Sequence, residues 1–283
     1  MLTVVNAARS VYSSPESLAD RAVRALAAEA VLTPKPALVD ERGPGAHRDL
    51  DLARLLRSAA ALRDGFRLMA ECASGRMPSQ SLREDLGAIG RNAEIAMLAA
   101  TGGSNAHRGA VWVLGLLVAG RSICGGEAFP AEVTGVAAAI ARFTDRHAPA
   151  TPTNGSRVCA RFGVPGARGE ARAGFPHVVG VGLPALRRGR QLGLSATHSR
   201  LDALLAIMAK LPDTCLLHRG GLAALEAAQA GARAVLAAGG TSRAAGWRAL
   251  LALDAELLSR WASPGGCADL LTACLFLDDA WKE

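Results

Sequence analysis

Three histidines of this chain are each followed directly by an arginine, beside glycine or another small residue. The pairs stand in GAHRD (45–49), NAHRG (105–109) and LHRGG (217–221), and they are His47-Arg48, His107-Arg108 and His218-Arg219. Glycine lets backbone N–H groups approach a ligand closely, and arginine can hold a phosphate through two parallel hydrogen bonds. One such pair alone is typical of a solvated turn. Three of them, each near a predicted helix boundary where anions are attracted, favour phosphate binding.

Acidic residues accompany these basic loops. They are Asp49 and Asp51 after the first pair, Glu170 in GARGEARAGFP (166–176), Asp213 at the start of DTCLLHRGG (213–221) and Asp269 at the end of SPGGCAD (263–269). Carboxylates beside phosphate binders commonly hold Mg²⁺ or act on a hydroxyl group. Any one of them is equally well explained as a helix cap or as the partner of a neighbouring arginine. The absence of HExxH, Walker A, GxSxG and zinc spacings argues against a metallopeptidase, a P-loop ATPase and an ordinary hydrolase.

The residues between the motifs predict helices. Hydrophobic residues make up 50% of the chain, Ala dominates them, and aromatic residues reach only 4%, a composition that favours helices over strands. Ser14, Pro15 and Glu16 combine a cap, a proline in the first turn and an acid near the positive helix end. Helix breakers stand wherever a motif lies. We therefore expect an all-α fold, a single multi-helix domain over residues 1–283 whose Gly-rich loops converge on one nucleotide-binding cleft.

One segment offers a competing interpretation of the fold. HVVGVGLPA (177–185) resembles the GxGxxA fingerprint of dinucleotide-binding domains, but no βαβ pattern surrounds it. A helix interrupted at Pro184 explains the segment better.

Charge and cysteine content narrow the class of protein. The net charge is +7, and only Lys35, Lys210 and Lys282 among the basic residues are lysines. An arginine-rich surface suits polyphosphates, nucleic acids or membranes. The six cysteines form no CxxC and are typical of small core residues in a reduced protein. The first ten residues are too short for a signal peptide core, and no run reaches the roughly 18 apolar residues of a membrane span, so we expect a cytoplasmic protein without membrane contact.

Six motifs occur in the order found in the triphosphoribosyl-dephospho-CoA synthases, and the chain resembles that family over residues 35–271. The motifs are KPALVD (35–40), GAHRDLD (45–51), TGGSNAHRG (101–109), GARGEARAGFP (166–176), DTCLLHRGG (213–221) and SPGGCADLL (263–271). The family often has Thr-His-Lys where Ala106-His107-Arg108 stands here, Met in place of Leu50 and Ser in place of Cys267. Arg108 keeps the positive charge, whereas Ala106 lacks one possible hydrogen bond.

The resemblance implies an all-helical transferase that joins ATP to 3′-dephospho-CoA and releases adenine. Its product, 2′-(5″-triphosphoribosyl)-3′-dephospho-CoA, would pass to a phosphoribosyl-dephospho-CoA transferase that acts on the acyl carrier protein of malonate decarboxylase or citrate lyase. The Ala- and Arg-rich composition and the lack of a fused transferase segment favour the malonate decarboxylase branch. Two substrates rich in phosphate also give a reason for several separate Gly/Arg loops.

The same resemblance suggests roles for individual residues. We expect substrate binding by Lys35, Arg48, Gly102, Gly103, Asn105, Arg108, Arg168, Arg219, Gly220, Gly221, Gly265 and Gly266. An oxocarbenium-like transition state needs a carboxylate and a donor to the leaving base. His47 or His107 could donate to adenine, and Glu170, Asp49 or Asp51 could supply the carboxylate.

Within these alternatives we favour Glu170 near the ribose. Asp49 and Asp51 then hold Mg²⁺ on the triphosphate of ATP. The competing interpretation is that Asp49 caps a helix and Asp51 pairs with Arg54.

Two other functions compete with this interpretation. A basic helical module that binds nucleotides or nucleic acid without catalysis would need a continuous arginine face and stacking aromatics. A single tyrosine and scattered arginines argue against it. A nucleosidase would release adenine from ATP without any CoA acceptor.

Overall fold

Thirteen α-helices and one π-helical turn form the regular structure of residues 14–126 and 128–278, which the computed structural model describes. The helices are α1 (Pro15–Ala30), α2 (Leu52–Ala61), α3 (Arg63–Ala73), α4 (Gln80–Thr101), α5 (Arg108–Cys124), α6 (Pro130–Arg142), α7 (Asn154–Phe162), α8 (Gly166–Arg172), α9 (Leu183–Gln191), α10 (Ala196–Met208), α11 (Thr214–Ala237), α12 (Ala244–Ser259) and α13 (Gly265–Leu277). Across these residues, β structure is limited to an isolated bridge between Asp40 and Gly43. The expected all-α fold is confirmed.

Capping residues set several helix starts where the sequence predicts them. Ser14 Oγ accepts a hydrogen bond of 3.1 Å from Ser17 N, with Pro15 in the first turn of α1. Ser79 Oγ likewise accepts from Leu82 N at 3.2 Å and starts α4. These side chains satisfy backbone N–H groups that have no partner within the helix.

Two helices, α5 and α13, form the centre of the molecule. α5 packs against α1, α3, α4, α6, α8 and α13, while α13 packs against α1, α5, α10 and α11. Leu114 and Leu117 of α5 and Leu271 of α13 are fully buried. A helix that is apolar on all sides is stable only inside a core, because no face can be left to water. The packing of these two helices fixes the position of the first residues of each. Both helix starts carry one of the sequence motifs.

Two segments differ from simple expectation. The pattern of residues 50–75 predicts one helix, but the structure divides it into α2 and α3 at Leu62, whose N–H bonds to the carbonyls of Ser58 and Ala59 in a tight turn. HVVGVGLPA forms the π-helical turn Val178–Gly182, which leads into α9 with Pro184 in its first turn. The helical interpretation of that segment is therefore confirmed over the dinucleotide-binding one.

The cysteines agree only in part with their predicted place in the core, since Cys267 and Cys274 are buried and the other four are half-buried. All six cysteines are free thiols. Across the described ranges, no helix combines the length and the apolar character needed to cross a bilayer. The first ten residues, on which the prediction about a signal peptide depends, lie outside the described residues.

Candidate functional site

A cleft of about 460 Å³ opens between the loop before α2 and the first turns of α11. It is lined by His47, Asp49, Leu50, Asn105, Asn154, His218, Arg219 and Trp261. These residues come from five separate places in the chain, so the tertiary fold builds the cleft. Two of the three His-Arg pairs, at 47–48 and 218–219, contribute to its lining.

A break in α11 aims the third His-Arg pair at the cleft. Gly221 has φ +65° and ψ −160° inside the helix, a left-handed conformation that favours glycine. Arg219 stands two residues before the break. Its Nη1 donates to the carbonyl of Ala46 at 2.9 Å, and its Nη2 donates to Nδ1 of His47 at 3.2 Å. The break thus joins the first and third pairs into one basic wall.

The contact with Arg219 defines the protonation of His47. A guanidinium group only donates hydrogen bonds, so Nδ1 of His47 is the acceptor and Nε2 carries the ring proton. Burial, and after it the charge of Arg219, lowers the pKa of His47 to about 4. His47 is therefore a neutral imidazole near pH 7, with one N–H able to donate to a bound ligand.

Trp261 gives the cleft an aromatic wall that the sequence analysis missed. The guanidinium carbon of Arg48 lies 5.4 Å from the centroid of its ring, and the side chain is 45% exposed. Trp261 has φ +55°, a conformation that costs energy for a bulky residue. An exposed indole that is held in a strained position can stack a nucleobase. The signal in the sequence was a tryptophan, in a chain poor in aromatics, directly before SPGG.

The second His-Arg pair is divided between the interior and the surface. His107 is 5% exposed, its Nδ1 lies 2.7 Å from Ser58 Oγ, and its buried Nε2 has no hydrogen-bond partner among the described residues. Burial, with the charge of Lys35, lowers its pKa to about 4. Arg108 points outward and bonds to Glu94 at 3.0 Å. The predicted catalytic role of His107 therefore falls on a buried residue outside the lining of the cleft.

The polar residues of TGGSNAHRG mainly build the junction between α4 and α5. Gly102 and Gly103 have φ of +67° and +92° and end α4, as expected for a left-handed helix end. Asn105 Oδ1 accepts from Arg108 N at 3.2 Å and caps α5. Of this loop, Asn105 is the residue that lines the cleft.

Lys35 lies inside the protein, although the sequence analysis assigned it to substrate binding. It is 1% exposed, and its Nζ donates to Glu29 Oε1 and to the carbonyl of Glu29, both at 2.7 Å, and to the carbonyl of Ala30 at 3.3 Å. A buried ammonium group needs such partners. In this structure Lys35 ties the end of α1 to the following loop.

Asp213 joins the starts of α11 and α13. Its Oδ1 accepts from Cys215 N at 2.7 Å, and its Oδ2 accepts from Cys267 N at 2.8 Å. A Cβ on Gly266 would lie 3.0 Å from this carboxylate, and one on Gly265 would lie 3.0 Å from the Sγ of Cys215. The predicted binding residues Gly265 and Gly266 thus permit close packing of two helix ends beneath the cleft, which positions Arg219.

Asp269 is a half-buried carboxyl group that faces the start of α5. A Cβ on Gly109 would lie 1.9 Å from its Oδ2, so the carboxyl group rests on the bare backbone of that glycine. No described residue forms a hydrogen bond or ion pair with the carboxyl group. Burial, and after it the charges of Asp213 and Glu29, raises the pKa of Asp269 well above its usual value.

Glu170 was predicted to act near the ribose, but its carboxylate bonds to His177 and does not line the cleft. It is 5% exposed, its Oε1 accepts from His177 N at 2.8 Å, and its Oε2 lies 2.7 Å from His177 Nδ1. Arg168, two residues earlier in α8, is exposed and also stands outside the lining of the cleft.

The two aspartates after the first pair have different surroundings. Asp49 is exposed and lines the cleft. Asp51 caps α2, because its Oδ1 accepts from Arg54 N at 2.7 Å, and its Oδ2 lies 3.3 Å from Arg54 Nη1. No group of three or more His, Cys, Asp or Glu side chains in the described parts of the chain is arranged to hold a metal ion by itself. A divalent ion that arrives with phosphate oxygens needs only one or two carboxylates, and Asp49 fits that requirement.

Comparisons with known proteins agree with the motif-based resemblance. The family model described as ATP:dephospho-CoA triphosphoribosyl transferase matches residues 15–282. The chain is 55% identical over 268 residues to the "Probable 2-(5''-triphosphoribosyl)-3'-dephosphocoenzyme-A synthase" of Azotobacter vinelandii, covering 94% of this chain and 92% of the relative. It is 51% identical over 261 residues to the "2-(5''-triphosphoribosyl)-3'-dephosphocoenzyme-A synthase" of Klebsiella pneumoniae, covering 92% and 93%.

No solved structure matches the chain significantly. The family model covers nearly all of the described helices and every motif that forms the cleft. The chain therefore belongs to the ATP:dephospho-CoA triphosphoribosyl transferase family, a family of pentosyltransferases.

Proposed function

We propose that this protein transfers the 5-triphosphoribosyl group of ATP to the 2′-hydroxyl of 3′-dephospho-CoA and releases adenine. The observation that carries the proposal is the basic wall that His47 and Arg219 form in the cleft, whose lining also includes Trp261 with Arg48 over its ring. The cavity of about 460 Å³ is of the size that binds small molecules. Guanidinium groups for phosphate and an indole face for a base suit a nucleotide.

The reaction exchanges one bond at the anomeric carbon. The C1′–N9 bond of ATP breaks, and its electron pair leaves with adenine, which takes up a proton. A C1′–O2′ bond forms as the acceptor hydroxyl loses its proton. The positive charge on the ribose in the transition state is stabilised by a nearby carboxylate.

The cleft offers a donor and a carboxylate for these steps. The Nε2–H of His47 can donate a hydrogen bond to the departing adenine, since Nδ1 is held as an acceptor by Arg219. Asp49 is the carboxylate in the lining. Because Glu170 is already bound by His177, it would have to leave that bond to act at the ribose, and we assign Asp49 to the metal. We further propose that Mg²⁺ accompanies ATP as part of the substrate, with Asp49 as its protein ligand.

Several finer features of the proposal rest on the family resemblance. The product would be handed to a phosphoribosyl-dephospho-CoA transferase that modifies an acyl carrier protein, with malonate decarboxylase preferred over citrate lyase. We place the protein in the cytoplasm, as one domain over residues 1–283, without nucleic acid as a partner. The Ala- and Arg-rich composition supports the malonate decarboxylase branch.

The test is incubation of the full chain with ATP, Mg²⁺ and 3′-dephospho-CoA, followed by measurement of free adenine and of the mass of the CoA product. We expect adenine and product in equal amounts. Adenine in the absence of 3′-dephospho-CoA would instead indicate a nucleosidase. Binding of ATP without adenine release under any condition would indicate a binding module and overturn the proposal.

A further inference from the structure

A second concentration of positive charge lies outside the cleft, where α4 and α8 meet the loop after α6. It consists of Arg83, Arg91, Arg168 and Arg172, and we call it the arginine cluster. Asp145 is its carboxylate, because Asp145 Oδ2 lies 2.7 Å from Arg91 Nη1 and 3.7 Å from Arg83 Nη1. Asp145 thus contacts two of the four guanidinium groups, and Arg168 and Arg172 lie near enough to Arg83 for their charges to lower its pKa.

Arg83 is the inner member of the arginine cluster. It is 8% exposed, and its Nε is buried without a hydrogen-bond partner among the described residues. Burial lowers its pKa, and the charges of Arg168, Arg91 and Arg172 lower it further against the opposing effect of Asp145. An unsatisfied N–H on a buried cation costs free energy, and an anion bound against the cluster would offset the repulsion among its guanidinium groups.

Trp112 holds the two sides of the arginine cluster together. The guanidinium carbon of Arg83 lies 5.0 Å from the centroid of its ring, and its Nε1 donates to the carbonyl of Ala167 at 3.1 Å. Arg168 follows Ala167 directly and is exposed. The indole therefore fixes the start of α8, with Arg168, next to the buried Arg83.

The arginine cluster lies close to the cleft along α5. That helix begins three residues after Asn105, which lines the cleft, and Trp112 stands seven residues beyond Asn105, about 10 Å along the helix axis. The ribose of 3′-dephospho-CoA carries its 2′-hydroxyl and its 5′-pyrophosphate on one ring. A pyrophosphate site beside the cleft would thus leave the hydroxyl directed toward the reacting carbon.

We propose that the arginine cluster binds the pyrophosphate of 3′-dephospho-CoA, while the wall of His47 and Arg219 binds the triphosphate of ATP. This inference rests on the proposed function, and it gives each substrate its own phosphate site. It also gives a role to the motif GARGEAR, whose Arg168 and Glu170 lie outside the lining of the cleft. Glu170 then acts as a positioning residue that anchors α8 through His177.

The test is equilibrium binding of each substrate separately to the full chain and to two variants. Arg168→Ala should weaken 3′-dephospho-CoA binding by about tenfold or more and leave ATP binding within about twofold, because one charge-assisted contact is lost. Arg219→Ala should do the reverse. Arg168→Lys should recover part of the loss, since lysine keeps the charge without the planar fork.

Controls separate recognition from folding and from general charge. Arg188→Ala removes an exposed arginine on α9 and should change neither affinity. Because Arg168 is exposed, its variants should unfold at the wild-type denaturant midpoint. Inorganic pyrophosphate should compete with 3′-dephospho-CoA on the wild-type protein, and this competition should weaken in Arg168→Ala.

The outcomes separate this inference from the proposed function. If the wild-type protein releases adenine but Arg168→Ala binds 3′-dephospho-CoA normally, the arginine cluster is a structural feature and the inference is wrong. If Arg168→Ala weakens ATP binding instead, the assignment of the two sites is reversed and the inference is also wrong. If the wild-type protein releases no adenine with both substrates, it is the proposed function that fails.

Discussion

The loop at 45–49 and the loop at 101–109 carry nearly the same residues and do different work. In the first loop, His47 lines the cleft and bonds to Arg219, and Arg48 stacks on Trp261. In the second loop, His107 is enclosed beside Ser58. The difference comes from the helix that each loop leads into, since α5 is the central helix and draws its first residues inside. Residues of similar motifs therefore have two different roles: some line the cleft, and others stabilise the packing of the helices.

The largest effect should come from removing an interior group of this kind. Asp213→Ala deprives the starts of α11 and α13 of their shared acceptor. Loss of two caps, with buried N–H groups left unpaired, should lower the free energy of unfolding by about 2–4 kcal/mol. Urea denaturation measures the change. Asp49→Ala, on the cleft side, is the matched control and should leave stability unchanged. Equal losses of stability in Asp213→Ala and Asp49→Ala would show that the interior carboxylate is no more important for the fold than the one in the cleft.

The second effect is a dependence of stability on pH, which follows from the lowered pKa values of His107 and His47. The pKa of His107 is about 4 in the fold against 6.5 for an exposed histidine, so the unfolded chain binds more protons between these values. Stability is then complete above pH 6.5 and decreases as the pH falls toward 4, with His107 contributing about 2–3 kcal/mol between pH 7 and 4.5.

His107→Asn removes that contribution and keeps a hydrogen-bonding group near Ser58. Urea titrations at pH 7 and at pH 4.5 should therefore show a smaller difference for the variant than for the wild type. Parallel behaviour of the two proteins would mean that His107 is protonated as easily in the fold as in the unfolded chain. His47, with a pKa lowered to about 4 as well, should add a contribution of the same sign in both proteins.

The third effect concerns binding by the two arginines that the sequence treats alike. Arg219 lines the cleft, whereas Arg108 forms a surface pair with Glu94. Arg219→Ala should weaken ATP binding by about 1.5–3 kcal/mol. Arg108→Ala should change the free energy of ATP binding by less than about 1 kcal/mol, because it removes only an exposed ion pair with Glu94. Calorimetric titration with ATP decides between them, and equal losses would show that Arg108 reaches the substrate after all.

The smallest effect should be a shift in the Mg²⁺ requirement. Asp49 faces the cleft with a free carboxylate, and Asp51 is held by Arg54. Asp49→Asn should raise the Mg²⁺ concentration for half-maximal adenine release by severalfold, because one ligand is lost. Asp51→Asn should leave that midpoint alone and cost roughly 1 kcal/mol of stability. A shift in Asp51→Asn alone would place the metal on the other aspartate.

The sequence predicted the helical fold well because its signals are local. The cap at Ser14 and the glycines that break the helix before NAHRG act on their own neighbours, and each behaves as expected. The division of α2 from α3 was missed, since nothing in the residues around Leu62 breaks a helix.

The site was only partly predictable, because burial depends on contacts between distant segments. The motif KPALVD gave no sign that Lys35 would be enclosed by Glu29, and GARGEARAGFP gave no sign that Glu170 would bind His177. Trp261 was missed because its role comes from a strained backbone and from Arg48, more than two hundred residues away. Residue types identified the chemistry of the motifs, while the fold alone decided which side chains face the cleft.

The central position of α13 has a consequence for how the protein is made. This helix, which begins at Gly265, fills the space between α1, α5 and α10, so a growing chain exposes the apolar faces of those helices until α13 has left the ribosome. Transiently exposed apolar surface makes an incomplete chain prone to aggregation. Ribosome-bound chains that stop before Gly265 should therefore depend on chaperones, and folding of the core should follow synthesis instead of accompanying it.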